Sequence, residues 1–435
     1  MFAYYFGLAL RSFRRNRVLT ALMVLAIALG IGASMTTLVV FRTLSGDPIP
    51  HKSDQLHYVR MDPRSMDGYV PGEEPATQMT RLDSEALLRE ARADRQAVMS
   101  AGTVVVEPEA EGLTPFVLQA RYTSADFFAM FDTPFRSGGG WRQEDDEARA
   151  RVAVISAAMA ERLFGGADPI GRELRLNRTG FRIVGVLDDW RPTPRFYDMT
   201  SGEFTDTEDV FLPFSTSRDL RLPTQGSMGC WAENNDPEGS TGLNAPCTWL
   251  QYWVELETPA RAADYGAYLR NYVDQQRAAG RFERPTPPAL TPLMEWLDEN
   301  EVVPADVRLQ VWLALGFLAV CLLNTVGLLL AKFLRRGGEI GVRRALGASR
   351  RSIFAQCLVE AGTIGVAGGI AGVGLALLGL WAVRQQPVDY AALAHMDAPM
   401  LLATLAMALG ASLLAGVLPA WRAMQVTPAI QLKSQ

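Results

Sequence analysis

The chain has 435 residues, with 42 Lys and Arg against 47 Asp and Glu and a formal net charge of −5. That length favours two or more structural units over one core, and the charge excludes a strongly basic nucleic-acid binder. The average conceals a split: residues 43–307 hold 26 basic and 43 acidic side chains, whereas the two flanks together hold 16 basic and 4 acidic ones.

Residues 1–17 place Phe2, Phe6, Ala9 and Phe13 on one helical face, with arginines gathering toward the end. That pattern predicts an amphipathic helix in the cytoplasmic membrane interface, or an extension of the first span. A charge-free run, Val18–Phe41, follows within a predicted transmembrane helix over 18–43. Its 24 residues exceed a signal-peptide apolar region of roughly 7–15, so it reads as an uncleaved anchor. Three further charge-free runs, Leu309–Ala331, Ala361–Val383 and Ala398–Trp421, predict spans over 307–333, 353–384 and 398–421.

Between the first two spans, residues 44–306 mix strand and helix signals. Thr103–Val106, Arg151–Ile155 and Phe181–Val186 have strand length and β-branched character. Helices are predicted at Ala125–Phe131, at Ser156–Phe164 with Ser156 as N-cap and Gly165-Gly166 as stop, and at Pro259–Ala278 with Thr258 as N-cap. The fold class is therefore membrane α-helical, four transmembrane helices, with a large α+β domain inserted between the first and second. Residues 190–248, dense in Pro, Gly, Thr and Asp, read as a loop-rich insertion between lobes.

Arginine placement sets the expected orientation. Arg11, Arg14, Arg15 and Arg17 precede the first span, and the loop over 334–352 carries Arg335, Arg336, Arg343, Arg344, Arg350 and Arg351. The 385–397 loop is acidic in balance, and the 422–435 tail is basic. The positive-inside rule puts both termini and the 334–352 loop in the cytoplasm and the large domain outside. Cys230 and Cys247 then share an oxidising compartment, where a disulfide is expected; two free thiols are the alternative.

Sites of chemistry are few. The three lysines, Lys52, Lys332 and Lys433, do not follow glycines, so these residues contain no Walker A loop. Neither G-x-S-x-G nor H-E-x-x-H occurs, and three histidines and four cysteines form no zinc quartet with ligand spacing. We expect no enzyme activity, no metal and no cofactor. The informative segment is Gly337–Arg351, where Ile340, Val342, Ala345 and Leu346 stand among arginines. Such a short helix can lie flat on the membrane or dock into a groove of a soluble partner.

Glu339–Ser349 followed by Gln356–Ala361 resembles the E-I-G-[IV]-R-[KR]-A-[LV]-G-A-[ST] … Q-F-L-x-E-A signature of MacB/FtsX-type ABC transporter permeases. Asn324 matches an Asn common in the preceding span, and Leu418–Ala423 with Pro428–Leu432 is similar to the family's ending. Tyr122–Phe128, Val152–Ser156, Leu163–Gly171 and Ile183–Val186 resemble the MacB-like periplasmic core. The expected departure from the family's drug-efflux member is that no ATPase domain is fused at the N-terminus.

The resemblance implies a dimeric permease in the bacterial inner membrane, its large domain in the periplasm, without a cofactor of its own. A separate ABC ATPase subunit would bind ATP and touch the cytoplasmic helix through Glu339, Ile340, Gly341, Arg343, Arg344, Leu346, Gly347 and Ala348. A second permease subunit, surrounding membrane lipid and a periplasmic adaptor with an outer-membrane channel are the other expected partners; nucleic acid is not one. Gly368 and Gly372 form a G-x-x-x-G suited to close helix packing, within one subunit or between two, with Asn324 as a further packing residue. The expected function is export of a peptide, lipid or drug-like cargo. The alternative is an FtsX-like signalling module that activates a cell-wall hydrolase or sensor partner.

Overall fold

The computed structural model describes residues 5, 7, 8, 11–13, 16–108, 114–388 and 390–425. Most of the interfacial helix expected over 1–17, including Phe2, Phe6 and Ala9, lies outside the described residues, as does the tail beyond residue 425. The chain forms two units, one of residues up to Ser45 and from Val303 onward, the other Gly46–Val302.

The Gly46–Val302 unit is built on strands β1 (Leu56–Arg60), β2 (Arg95–Glu107), β3 (Phe116–Thr123), β4 (Phe135–Gly138), β5 (Val152–Ser156), β6 (Glu173–Leu176), β7 (Thr179–Leu187), β8 (Val210–Pro213), β9 (Thr224–Gln225), β10 (Gly229–Cys230), β11 (Cys247–Thr248), β12 (Gln251–Glu255) and β13 (Ala289–Pro292). The main sheet runs β13-β1-β12-β2-β3-β8-β5-β7-β4. Strand β6 joins β2 to β7, so β2, β3, β8, β5, β7 and β6 close into a ring and leave no free edge among themselves. The ring is filled by Val104, Val106, Ala120, Ile155, Leu176, Phe181, Ile183, Val210 and Leu212, all buried in one apolar cluster. β2 does double duty: its first residues pair with β12, while its last two pair with β6.

The unit's helices are α2 (Arg81–Glu90), α3 (Phe127–Met130), α4 (Gln143–Glu147), α5 (Ala157–Phe164), α6 (Phe214–Asp219), α7 (Pro259–Ala278) and α8 (Leu293–Glu299), counting from the preceding span α1 (Arg17–Ser45). Ser156 Oγ accepts the Met159 amide and Gly165 adopts φ +57, the start and stop predicted for α5. Thr258 Oγ1 accepts the Arg261 amide at the start of α7. Such caps satisfy amides that the helix leaves without partners.

The reading of residues 190–248 as an insertion between lobes is corrected. Strand β8, from within that stretch, lies between β3 and β5 in the closed ring, parallel to the first and antiparallel to the second. The preceding loop brings Arg195, Tyr197, Asp198 and Glu208 over β3, where all are buried with Arg121. Arg121 donates to Asp198 at 2.7 Å and to Glu208; Arg195 and the Tyr197 hydroxyl also donate to Glu208, at 3.2 and 2.9 Å. Burial alone raises the Asp198 carboxyl, but Arg121, Arg195 and the Thr200 hydroxyl outweigh it and hold it at about 2. A disulfide joins Cys230 to Cys247 across the β10–β11 pair.

In the other unit, α9 (Ala305–Arg335), α11 (Arg350–Val383) and α12 (Ala398–Met424) join α1 as four helices long and apolar enough to cross a membrane. Helix α10 (Gly337–Ala345) lies between α9 and α11. A Cβ on Gly368 would stand 2.6 Å from Ile27, and one on Gly372 3.0 Å from Ile31, both on α1. On another face of α11, Gly365 faces Ser412 and Gly369 faces Ala408 of α12. The G-x-x-x-G therefore packs inside one chain, the close approach that small residues permit between membrane helices.

Candidate functional site

The arginine-rich connection between α9 and α11 forms a tight helical corner. Leu346 ends α10, Gly347 turns the chain at φ +97, and Ser349 Oγ accepts the Ser352 amide to begin α11. A side chain at position 347 would be strained by that φ, which is the local reason for glycine.

Behind the corner lies a cluster of charge buried where spans α9 and α11 begin and end. Lys332 Nζ stands 2.7 Å from one Glu360 oxygen, and Arg336 Nη1 lies 3.0 Å from the other. Ser12 Oγ donates to the same carboxylate, and Lys332 Nζ also reaches Thr20 Oγ1 at 3.3 Å. Lys332 and Glu360 are almost wholly enclosed, which makes their mutual pairing obligatory, since a buried charge left alone is strongly destabilising. Four chain segments, the one before α1, α1 itself, α9 and α11, are thereby fastened at one level.

Helix α10 is tied to this cluster. Arg343 donates to Glu339 one turn back and to Gln356 Oε1 of α11, each at 3.0 Å, and Arg336 lies 3.6 Å from Glu339. Arg343, expected among the residues that touch an ATPase, thus also has partners inside its own chain. Gly341 is buried in the chain as well, and Ile340 is half-buried. The side chains left outward are apolar: Val342 is 52% exposed and Leu346 83%. An Arg-rich corner that holds its Arg343 and presents Val342 and Leu346 can offer a small hydrophobic surface on a rigid base.

Asn324 lies on an exposed face of α9 beside Leu323 and Val320, so among the described residues it has no packing contact that would bury it. Sequence reasoning missed Lys332, Arg336, Glu360 and Ser12. A signal was present: Lys332 and Glu360 are the charges that bound two adjacent charge-free runs, on what the topology makes the same side. Among the described residues no group of three or more His, Cys, Asp or Glu could hold a metal ion.

Four apolar spans, an α/β domain between the first and second, and a braced corner between the second and third are the architecture of a multi-pass membrane protein. The MacB-like periplasmic core domain family matches residues 20–272, and the FtsX-like permease C-terminal family matches residues 311–428. The chain belongs to the MacB/FtsX-type ABC transporter permeases. Among relatives, a pyoverdine export ATP-binding/permease protein, PvdT, of Pseudomonas savastanoi pv. phaseolicola is 27% identical over 71% of this chain and 42% of its own length. A macrolide export ATP-binding/permease protein, MacB, of Azoarcus sp. is 25% identical over 73% of this chain and 42% of its own. The chain thus spans less than half the length of these relatives. The periplasmic region of MacB from Actinobacillus actinomycetemcomitans aligns with 58% of this chain and 94% of its own, at 11% identity and a TM-score of 0.37.

Proposed function

We propose that the chain is the permease subunit of an inner-membrane ABC exporter, driven by an ATPase that docks on the α10 corner. Residues 46–302 stand in the periplasm and the corner faces the cytoplasm, a placement supported by the arginine-rich corner and the acidic 46–302 segment. ATP is bound by the partner, a separate subunit, and its hydrolysis moves the periplasmic domain to extrude a peptide, lipid or drug-like cargo. Relatives named for pyoverdine and macrolide export support an outward direction. A second permease subunit covers α9 at Asn324, whose amide is costly to leave in hydrocarbon. A periplasmic adaptor and an outer-membrane channel complete the path.

The observation that carries the reading is Leu346, 83% exposed on a corner held rigid by Arg343, Gln356, Arg336 and Glu360. The brace fixes the backbone, so docking a partner there orders little that is not already ordered. Truncating an interface anchor of this kind costs about 2 kcal/mol or more, roughly 30-fold in association. Leu346→Asp should weaken co-purification of the ATPase that accompanies the wild-type chain and abolish membrane-stimulated ATP hydrolysis, with insertion unchanged. A variant that recruits the ATPase at full strength and supports equal turnover overturns the assignment.

A further inference from the structure

The 46–302 unit holds a cavity of about 780 Å³ between α2 on one side and α4 and α6 on the other. A smaller one of about 190 Å³ adjoins it, and Arg218, Arg221 and Glu238 line both. Arg218, on α6, is only 6% exposed, yet among the described residues no carboxylate pairs with it. Its Nε donates to Ser217 Oγ at 3.3 Å and one terminal nitrogen to the Leu222 carbonyl at 2.7 Å. The nearby acids are taken: Arg81 binds Glu85 at 2.6 Å and Glu238 at 2.7 Å. Burial therefore pushes the Arg218 guanidinium down to about 10, with the carboxylates of Glu238 and Glu85 helping it only from a distance.

Arg218 is nonetheless held as a cation in a fixed pose. Its guanidinium lies 5.2 Å from the Trp249 ring and 5.7 Å from the Tyr122 ring, faces that favour a positive charge. The Tyr122 ring itself sits where a Cβ on Gly102 would be, 2.2 Å from that position, so a glycine in β2 makes room for the stack. A second hydrogen bond, from the Tyr122 hydroxyl to the Pro223 carbonyl at 3.0 Å, fixes the ring. Aromatic faces and two neutral acceptors orient a guanidinium without neutralising it, whereas a carboxylate matches its fork and cancels its charge. A buried arginine kept without an acid at the wall of a cavity is the arrangement expected where the acid arrives with a ligand.

The rest of the wall suits a polar, extended molecule. Arg89 and Arg149 line it together with Asp126 and Glu147, so both signs of charge face the space, and Ser124 and Ser215 add hydroxyls. The volume lies in the range of small-molecule sites and admits a few amino-acid residues. We infer that this cavity binds the C-terminal carboxylate of a short peptide, with Arg218 as its anion anchor. The assignment goes beyond the export reading and stands or falls without it, because it concerns binding to the outer unit alone.

The test uses the full chain in lipid nanodiscs and three probes: N-acetyl-trialanine, its C-terminal amide, and acetate. Calorimetry should give the acid a Kd below ~10 mM, with the amide and acetate each at least ~10-fold weaker. Arg218→Gln should weaken the acid by ~30-fold or more and erase its advantage over the amide, and Arg218→Lys should fall between. Arg182→Gln, at an exposed position of β7 outside both cavities, should keep the preference. Should Arg218→Gln not fold, the wild-type comparison decides: the acid must raise the unfolding temperature and the amide must not. Equal binding of acid and amide, no binding of the acid, acetate as good as the peptide, or a folded Arg218→Gln that binds unchanged would each overturn the proposal.

Discussion

Each of the two units buries a cluster of charge, and the clusters are built on opposite plans. In the 46–302 unit, one loop supplies Arg195, Tyr197, Asp198 and Glu208 against Arg121 of β3, with Phe127, Phe196 and Trp190 ringing Tyr197. Two arginines face two acids, so the group is neutral and closed. In the bundle, Lys332, Arg336, Glu360, Ser12 and Thr20 come from segments far apart in the chain, and Arg336 remains partly open to solvent. The first cluster holds a loop onto a strand; the second holds helix ends in register beneath the α10 corner. Similar chemistry serves stability in one place and geometry in the other, and the difference lies in whose backbone is being fastened.

The largest test of that contrast is Glu208→Ala. It strands Arg195 and the Tyr197 hydroxyl and leaves Arg121 with Asp198 alone, a broken buried network that costs about 3–5 kcal/mol. Chemical denaturation of the full chain, followed by circular dichroism, should show that loss. A change under about 1 kcal/mol would mean the cluster is hydrated and holds nothing.

Glu360→Gln probes the other plan. The amide still accepts from Ser12 but no longer balances Lys332 and Arg336, so a stability loss of about 1–3 kcal/mol is expected. With the proposed ATPase docked on the α10 corner, stimulated ATP hydrolysis at matched levels of folded protein should also fall by about 3- to 30-fold. If turnover per folded molecule is unchanged, the cluster is a fastener like the first and the contrast disappears.

The smallest effect is in acid. Asp198 sits at about 2 in the folded chain, below its ordinary value, so the unfolded state takes up its proton first as pH falls. Its contribution is complete above about pH 4 and is lost between about pH 4 and pH 2. The wild-type unfolding temperature should therefore decline through that window more steeply than that of Asp198→Asn. Parallel curves would show that Asp198 is not held by its arginines.

How much of this was legible beforehand varies with distance along the chain. Spans were readable because exclusion of charge is a property of consecutive residues, and the caps Ser156 and Thr258 because a cap acts on amides two or three positions away. Strand β8 was not. Four residues ending in Pro213, between long polar stretches, carry no alternation, and what makes them a strand is pairing with β3 and β5. Arg121 and Arg218 look in sequence like any surface arginine; only the fold shows one enclosed by Asp198 and Glu208 and the other by aromatic rings. At the α10 corner the pattern located the segment but not the bonds of Arg343 to Gln356 and Glu339, because the first reaches across to another helix.

The glycines of α11 bear on how a push at the corner would travel. Where Gly368 and Gly372 meet α1, the β-branched side chains of Ile27 and Ile31 press on the α11 backbone, and Gly365 and Gly369 seat Ser412 and Ala408 of α12, so the groups in between are short or stiff at χ1. Flexible side chains take up displacement as play in a joint, and these seams have almost none. A tilt imposed on α11 near Arg350 would press directly on α1 and α12 through these contacts.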